Sequence, residues 1–136
     1  MATWDDVGSI ALALPETEAS AMREGWRQWL VKGKNFAWER PLRASDLRVL
    51  GDAAPQGEIL GVRVADLDVK EEVLAQSSDA VFTIPHFDGY AAVLVLLDEV
   101  ELDELEELIT ESWITRAPKR VLAAYLASRS ERPSSP

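Results

Sequence analysis

The segment that most restricts the fold is Ala91–Leu97, Ala-Ala-Val-Leu-Val-Leu-Leu, an unbroken apolar run. A short apolar run rich in valine and leucine, preceded by a turn-forming stretch, is the pattern of a strand in the middle of a sheet. Only Val121–Ala127 equals it in length, and both stop far short of the ~18–20 apolar residues that cross a bilayer. The chain has 136 residues, room for one domain, expected over 1–127, with a flexible polar tail at 128–136 that holds two prolines. The acidic start Met-Ala-Thr-Trp-Asp-Asp lacks the basic-then-apolar pattern of a secretory signal, so a cytoplasmic chain without membrane contact is expected.

The other elements follow from capping and periodicity. Thr3 and Asp6 are spaced as a capping box, and Val7, Ile10, Ala11 and Leu14 recur at helical spacing up to Pro15. Glu16–Ala21 reads as a polar connection. Trp26–Lys32 and Asn35–Arg40 flank Gly33 and read as a hairpin, closed by Pro41. A short helix is expected over Leu42–Leu50, closed by Gly51, and a strand over Glu58–Ala65. Asp66 or Asp68 caps a helix to about Ala75, and Ala80–Ile84 is a further strand. Leu102–Trp113 is amphipathic, with Leu102, Leu105, Ile109 and Trp113 expected inward. Pro118 starts a last helix, Lys119–Ala127, burying Val121, Leu122 and Tyr125. Adjacent strands with short connections pair antiparallel, and helices gathered on one side of such a sheet make an α+β domain.

Charge separates the chain into zones. The total is −10, yet residues 23–48 carry +4 and residues 116–136 another +4, whereas 49–115 carry −14. The basic zone interleaves cations with aromatics: Arg23, Trp26, Arg27, Trp29, Lys32, Lys34, Phe36, Trp38, Arg40, Arg43. A hairpin with cations at its tip can reach a phosphate backbone, or its cations can simply protect strand edges from pairing. Trp26 and Trp29 differ by an odd number, so on a regular strand they face opposite sides. The acidic run from Asp98 to Glu111 reads as a solvated helix face, or as a docking face for a basic partner.

The catalytic inventory is short. His86 is the only histidine and there is no cysteine, which excludes paired-histidine and thiolate metal sites and cysteine nucleophiles. No Gly-x-Ser-x-Gly elbow and no glycine-rich phosphate loop is present. No catalytic residue, metal or cofactor is therefore assigned. His86, between Pro85 and Phe87, is either a ligand-pocket donor or a turn-fixing side chain, with Tyr90 beside it in the same connection.

Several blocks carry a resemblance. They are Trp4-Asp5-Asp6-Val7 with Ile10–Thr17, Gly33-Lys34-Asn35-Phe36-Ala37, Pro85-His86-Phe87-Asp88-Gly89-Tyr90, and Glu111-Ser112-Trp113 with Arg116-Ala117-Pro118-Lys119-Arg120. Together and in this order they resemble the MmcQ/YjbR family. The resemblance implies a small single-domain bacterial protein with a CyaY-like α+β sandwich, sometimes described as a double-wing fold. Members are commonly labelled DNA-binding, with no shared enzyme activity or cofactor. Gly33, Lys34, Phe36, His86, Ala117, Pro118, Lys119 and Arg120 are the positions that match its motifs.

The resulting expectation is a non-enzymatic binding protein that contacts DNA through Arg27, Lys32, Lys34, Arg40 and Arg43, joined by Lys119 and Arg120. The alternative is an adaptor for a protein or small ligand, using the acidic helix or a pocket near His86 and Tyr90. A monomer or weak dimer is expected.

Overall fold

The structure, a computed structural model, describes residues 1–131. It contains α1 (Trp4–Leu12), β1 (Thr17–Ala21), β2 (Arg27–Val31), β3 (Lys34–Glu39), α2 (Ala44–Leu50), β4 (Ile59–Arg63) and α3 (Leu67–Gln76). After these come β5 (Val81–Phe82), a 3₁₀ turn (Pro85–Phe87), β6 (Ala92–Leu96), α4 (Leu102–Arg116) and α5 (Lys119–Glu131). The strands form one antiparallel sheet in the order β1-β2-β3-β4-β6-β5, so the α+β expectation holds. No helix among the described residues is long and apolar enough to cross a membrane.

Local chemistry accounts for the element ends. The capping box at Thr3 and Asp6 is formed, and Asp66 accepts a hydrogen bond from the Val69 amide at the start of α3. Val31 pairs with Lys34, leaving Lys32 and Gly33 as a two-residue turn with φ of 50° and 81°. Positive φ at both positions matches the right-handed twist of the flanking strands, and glycine tolerates it without steric cost. Further along, Trp29 pairs with Ala37 and Leu30 with Asn35, so Phe36 is the extra residue of a bulge. Phe36 and Ala37 consequently both join the larger core, while Trp38 joins the opposite face.

The sheet has two cores. On one face α1, α3, α4 and α5 cover Val31, Phe36, Leu60, Val62, Val93 and Val95, around a fully buried Trp113. On the other face lie Trp38, Ile59, Ile84, Phe87, Ala92, Leu94 and Leu96, with Leu42 and Leu50 packed against them. β6 alternates between the two sets, which is why it is apolar at every position, and it lies inside the sheet as expected.

Some expected details differ. Thr17–Ala21 is an edge strand and not a connection; nearly all its side chains are exposed, and it is held by backbone pairing to β2 and by the Thr17 hydroxyl, which donates to the carbonyls of Ala11 and Leu14. Leu102 is 48% exposed at the first position of α4, and Leu108 and Ser112 take the inward places beside Leu105, Ile109 and Trp113. The last helix continues beyond Ala127 to Glu131, so the first part of the expected tail is helical, and residues 132–136 lie outside the described residues. Trp26 and Trp29 do face opposite sides: Trp29 belongs to the larger core, and Trp26 borders a cavity on the other face.

Candidate functional site: an arginine and aromatic groove

The face of the sheet opposite the main helices carries a shallow cavity of about 280 Å³. Its floor and walls converge from separate elements. Gln28 comes from β2, Asn35 and Trp38 from β3, Arg63 from the last position of β4, and Phe87 and Tyr90 from the connection to β6. Met22, Glu24, Trp26, Arg40 and Arg43 complete the rim.

The aromatic rings form a graded surface. Trp38 stacks on Phe87 with centroids 6.4 Å apart, and Phe87 meets Tyr90 edge-on at 5.3 Å. Trp38 and Phe87 are buried, whereas Tyr90 is 39% exposed. Beneath Trp38 lies Gly61, where a Cβ would fall 2.7 Å from the ring, so only glycine lets the indole settle this deeply.

Over this surface lies Arg63. Its guanidinium sits 4.7 Å from the Trp38 ring centroid and 5.3 Å from that of Tyr90, within the range of cation–π attraction. One nitrogen, Nη2, donates to Asn35 Oδ1 at 3.2 Å and Nη1 donates to the Tyr90 hydroxyl. Asn35 is oriented in turn by donating to Gln28 Oε1 at 3.1 Å. Arg63 Nε is buried and has no hydrogen-bond partner. Among the described residues no carboxylate lies within ion-pair distance of Arg63, whose charge is desolvated and unneutralised. Burial pushes its pKa down; Tyr90 works against that shift, and the nearby Arg116 cation adds to it. Arg116 Nε donates to the backbone carbonyl of Asn35 at 3.1 Å, so two guanidiniums address the same residue.

Two buried cations hold the walls. Lys70 on α3 is 6% exposed, and its Nζ donates to the carbonyls of Phe87 at 2.6 Å and Tyr90 at 2.8 Å. Burial pushes its pKa down, with Asp88 opposing. Arg40 donates to Asp46 at 3.1 Å, both side chains buried, and its guanidinium lies 5.4 Å from Phe87. Asp46 also accepts the Arg43 amide at 2.9 Å. Burial alone would raise the Asp46 pKa, but the Arg43 amide and the Arg40 guanidinium together bring it below the usual value.

The expected site residues are dispersed. Arg40, Arg43 and Tyr90 meet in the groove. Arg27 lies over Trp4, 5.1 Å from its ring and paired with Glu39 at 3.2 Å, and so points to the helical face. Lys32 and Lys34 are at the hairpin turn, with Lys32 3.8 Å from Glu16. Arg43 pairs with Glu24 at 3.6 Å and lies over Trp26 at 5.3 Å. Lys119 and Arg120 open α5, whose Val121 packs on the opposite face of the sheet. His86 is exposed in the 3₁₀ turn, its ring 6.1 Å from Phe87, and it does not line the groove.

Arg63, Gln28 and Asn35 were not singled out by sequence reasoning. One signal was available: Arg63 and Lys70 are the only two bases among the sixteen acids of residues 49–115, and both are packed against the connection that ends at Tyr90.

A family model described as YjbR matches residues 12–115. An uncharacterized protein of Mycobacterium tuberculosis strain H37Rv is 50% identical over 131 residues, covering 94% of this chain and 98% of the relative. An uncharacterized protein of Mycobacterium bovis matches with the same figures. The crystal structure of Deinococcus radiodurans protein DR2400, a DUF419 domain, superposes with a TM-score of 0.61 at 20% identity. That alignment covers 100% of this chain and 97% of the other, and establishes likeness of fold.

Proposed function

The chain belongs to the YjbR family, and from that premise we propose that it is a non-enzymatic binding protein whose groove on the open sheet face receives a small, flat organic anion. The observation that carries this reading is Arg63: a partly buried guanidinium with an orphaned Nε and no carboxylate partner among the described residues. Leaving such a charge without a counter-ion costs stability unless something else supplies the negative charge. A carboxylate can accept two parallel N–H bonds from a guanidinium, and the exposed edge of Tyr90 and the Trp26 ring offer flat apolar contact beside it. The groove's remaining polar groups are amides, a phenol, further guanidiniums and the Glu24 carboxylate, which is paired with Arg43 at 3.6 Å, so the donors outnumber the one acceptor charge and suit an anion.

Duplex DNA was the first expectation. Four of the seven cations it relied on, Arg27, Lys32, Arg40 and Arg43, carry carboxylate partners, and Lys119 and Arg120 belong to the other side of the sheet. Affinity for a duplex grows with the number of phosphates neutralised, so this dispersal favours the small-ligand reading.

Titrating ¹⁵N-labelled protein with benzoate tests it. The indole N–H signals of Trp26 and Trp38 and the amide of Tyr90 are expected to shift together and saturate. Shifts confined to other tryptophans, or none, would remove the groove as the site.

A further inference from the structure

We propose that the cleft between α3 and α4 is a second binding site, one that takes a free alkylammonium ligand. The cleft lies on the helical face, has a volume of about 470 Å³ and is walled by Val64, Val69, Val73, Leu108 and Ile114. That volume falls within the range typical of small-molecule sites, and the apolar walls suit a hydrocarbon chain.

Charge decides which chain. Along α4, Glu104, Glu107 and Glu111 line the opening. Glu104 is committed elsewhere: its carboxylate accepts hydrogen bonds from the Ser78 amide at 2.9 Å and from the Ser78 hydroxyl. The side-chain carboxylates of Glu107 and Glu111 have no ion pair or hydrogen bond among the described residues, although the Glu111 carbonyl accepts from the Thr115 hydroxyl at 3.0 Å. The one cation bordering the cleft is Arg63, and its guanidinium is drawn to the far face of the sheet by Trp38 and Tyr90. An apolar chain entering here therefore meets two unneutralised carboxylates and no competing cation. A carboxylate-tailed ligand would be repelled, a neutral one bound by its chain alone, and an ammonium-tailed one bound by both. The ligand is a free amine because the exposed acidic rim and the apolar floor belong to one cleft, whose volume suits a single chain and head group. This site stands independently of the groove on the opposite face.

Amide chemical shifts under titration with n-hexylammonium, n-hexanol and hexanoate test the proposal. Hexylammonium should shift Val69, Val73, Leu108 and Ile114 and bind about fivefold tighter than hexanol, as two exposed ion pairs permit, with hexanoate weakest. In Glu107→Gln/Glu111→Gln the preference for the amine should vanish while hexanol affinity is unchanged. Val73→Phe, with its fold checked by circular dichroism, should fill the cleft and exclude both amine and alcohol. Equal binding of amine and alcohol by the wild type would overturn the proposal. Shifts at the Trp38 groove in place of the cleft, or no saturable shifts, would also overturn it.

Discussion

The guanidinium of Arg63 lies 4.7 Å from the ring of Trp38, in a groove whose one lining carboxylate, Glu24, pairs with Arg43 and not with Arg63. Arg63→Met keeps apolar contact with Trp38 and removes the charge. It is expected to leave stability unchanged or raise it by about 1 kcal/mol, as replacing an uncompensated buried charge does, while benzoate binding is lost. Urea denaturation alongside the titration checks both. A loss of more than about 2 kcal/mol would mark Arg63 as a structural residue.

Lys70 holds the connection that presents Phe87 and Tyr90. Lys70→Met leaves two carbonyls without their donor and is expected to cost about 1–3 kcal/mol. It should also accelerate amide exchange at Tyr90. Because the folded-state pKa lies below 10.5, the native state sheds this proton before the unfolded state does. The burial cost is present in full at neutral pH and is relieved as pH rises through the lowered value toward 10.5. The stability of the wild type relative to Lys70→Met should therefore increase over that alkaline window.

Asp46 balances the buried Arg40. Asp46→Asn should cost about 3–5 kcal/mol by stranding that guanidinium. The folded Asp46 pKa is lowered from 3.8, so its contribution is complete above that value and disappears as pH falls through the folded value. Denaturation of wild type and Asp46→Asn from neutral pH to pH 2 should show the difference constant at first and shrinking only at the acid end.

The hairpin cations are expected to be irrelevant to the groove. Lys32→Ala/Lys34→Ala should bind benzoate as the wild type does. Duplex retention by the wild type at ~50 mM salt, weakened in this variant with a salt dependence shallower by about two charges, would instead favour contact with DNA.

Much of the fold was legible because its signals are local. Thr3 and Asp6 are three residues apart, Lys32-Gly33 sits between two strand-forming runs, and the apolar run at 91–97 needs no distant information. β1 was illegible for the opposite reason: Glu18, Ala19, Ser20 and Ala21 are exposed, and only their backbone pairing to β2 makes them a strand. Arg40, Arg43 and Tyr90 were identified as candidates, yet what joins them is the bulge at Phe36, which turns Trp38 onto the open face beneath Arg63. Asn35, Arg63 and Tyr90 are far apart in sequence and meet only through strand register, which no spacing rule reveals.

In the proposed groove, Arg63 requires a negative charge on the ligand. Calorimetric affinities of benzoate and of its neutral isostere benzamide, for wild type and for Arg63→Gln, measure this directly. The wild type is expected to favour benzoate by about tenfold or more, the worth of one charge-assisted hydrogen bond, and Arg63→Gln to abolish the preference. Equal affinity for the two ligands in the wild type, or a preference that survives in Arg63→Gln, would contradict it.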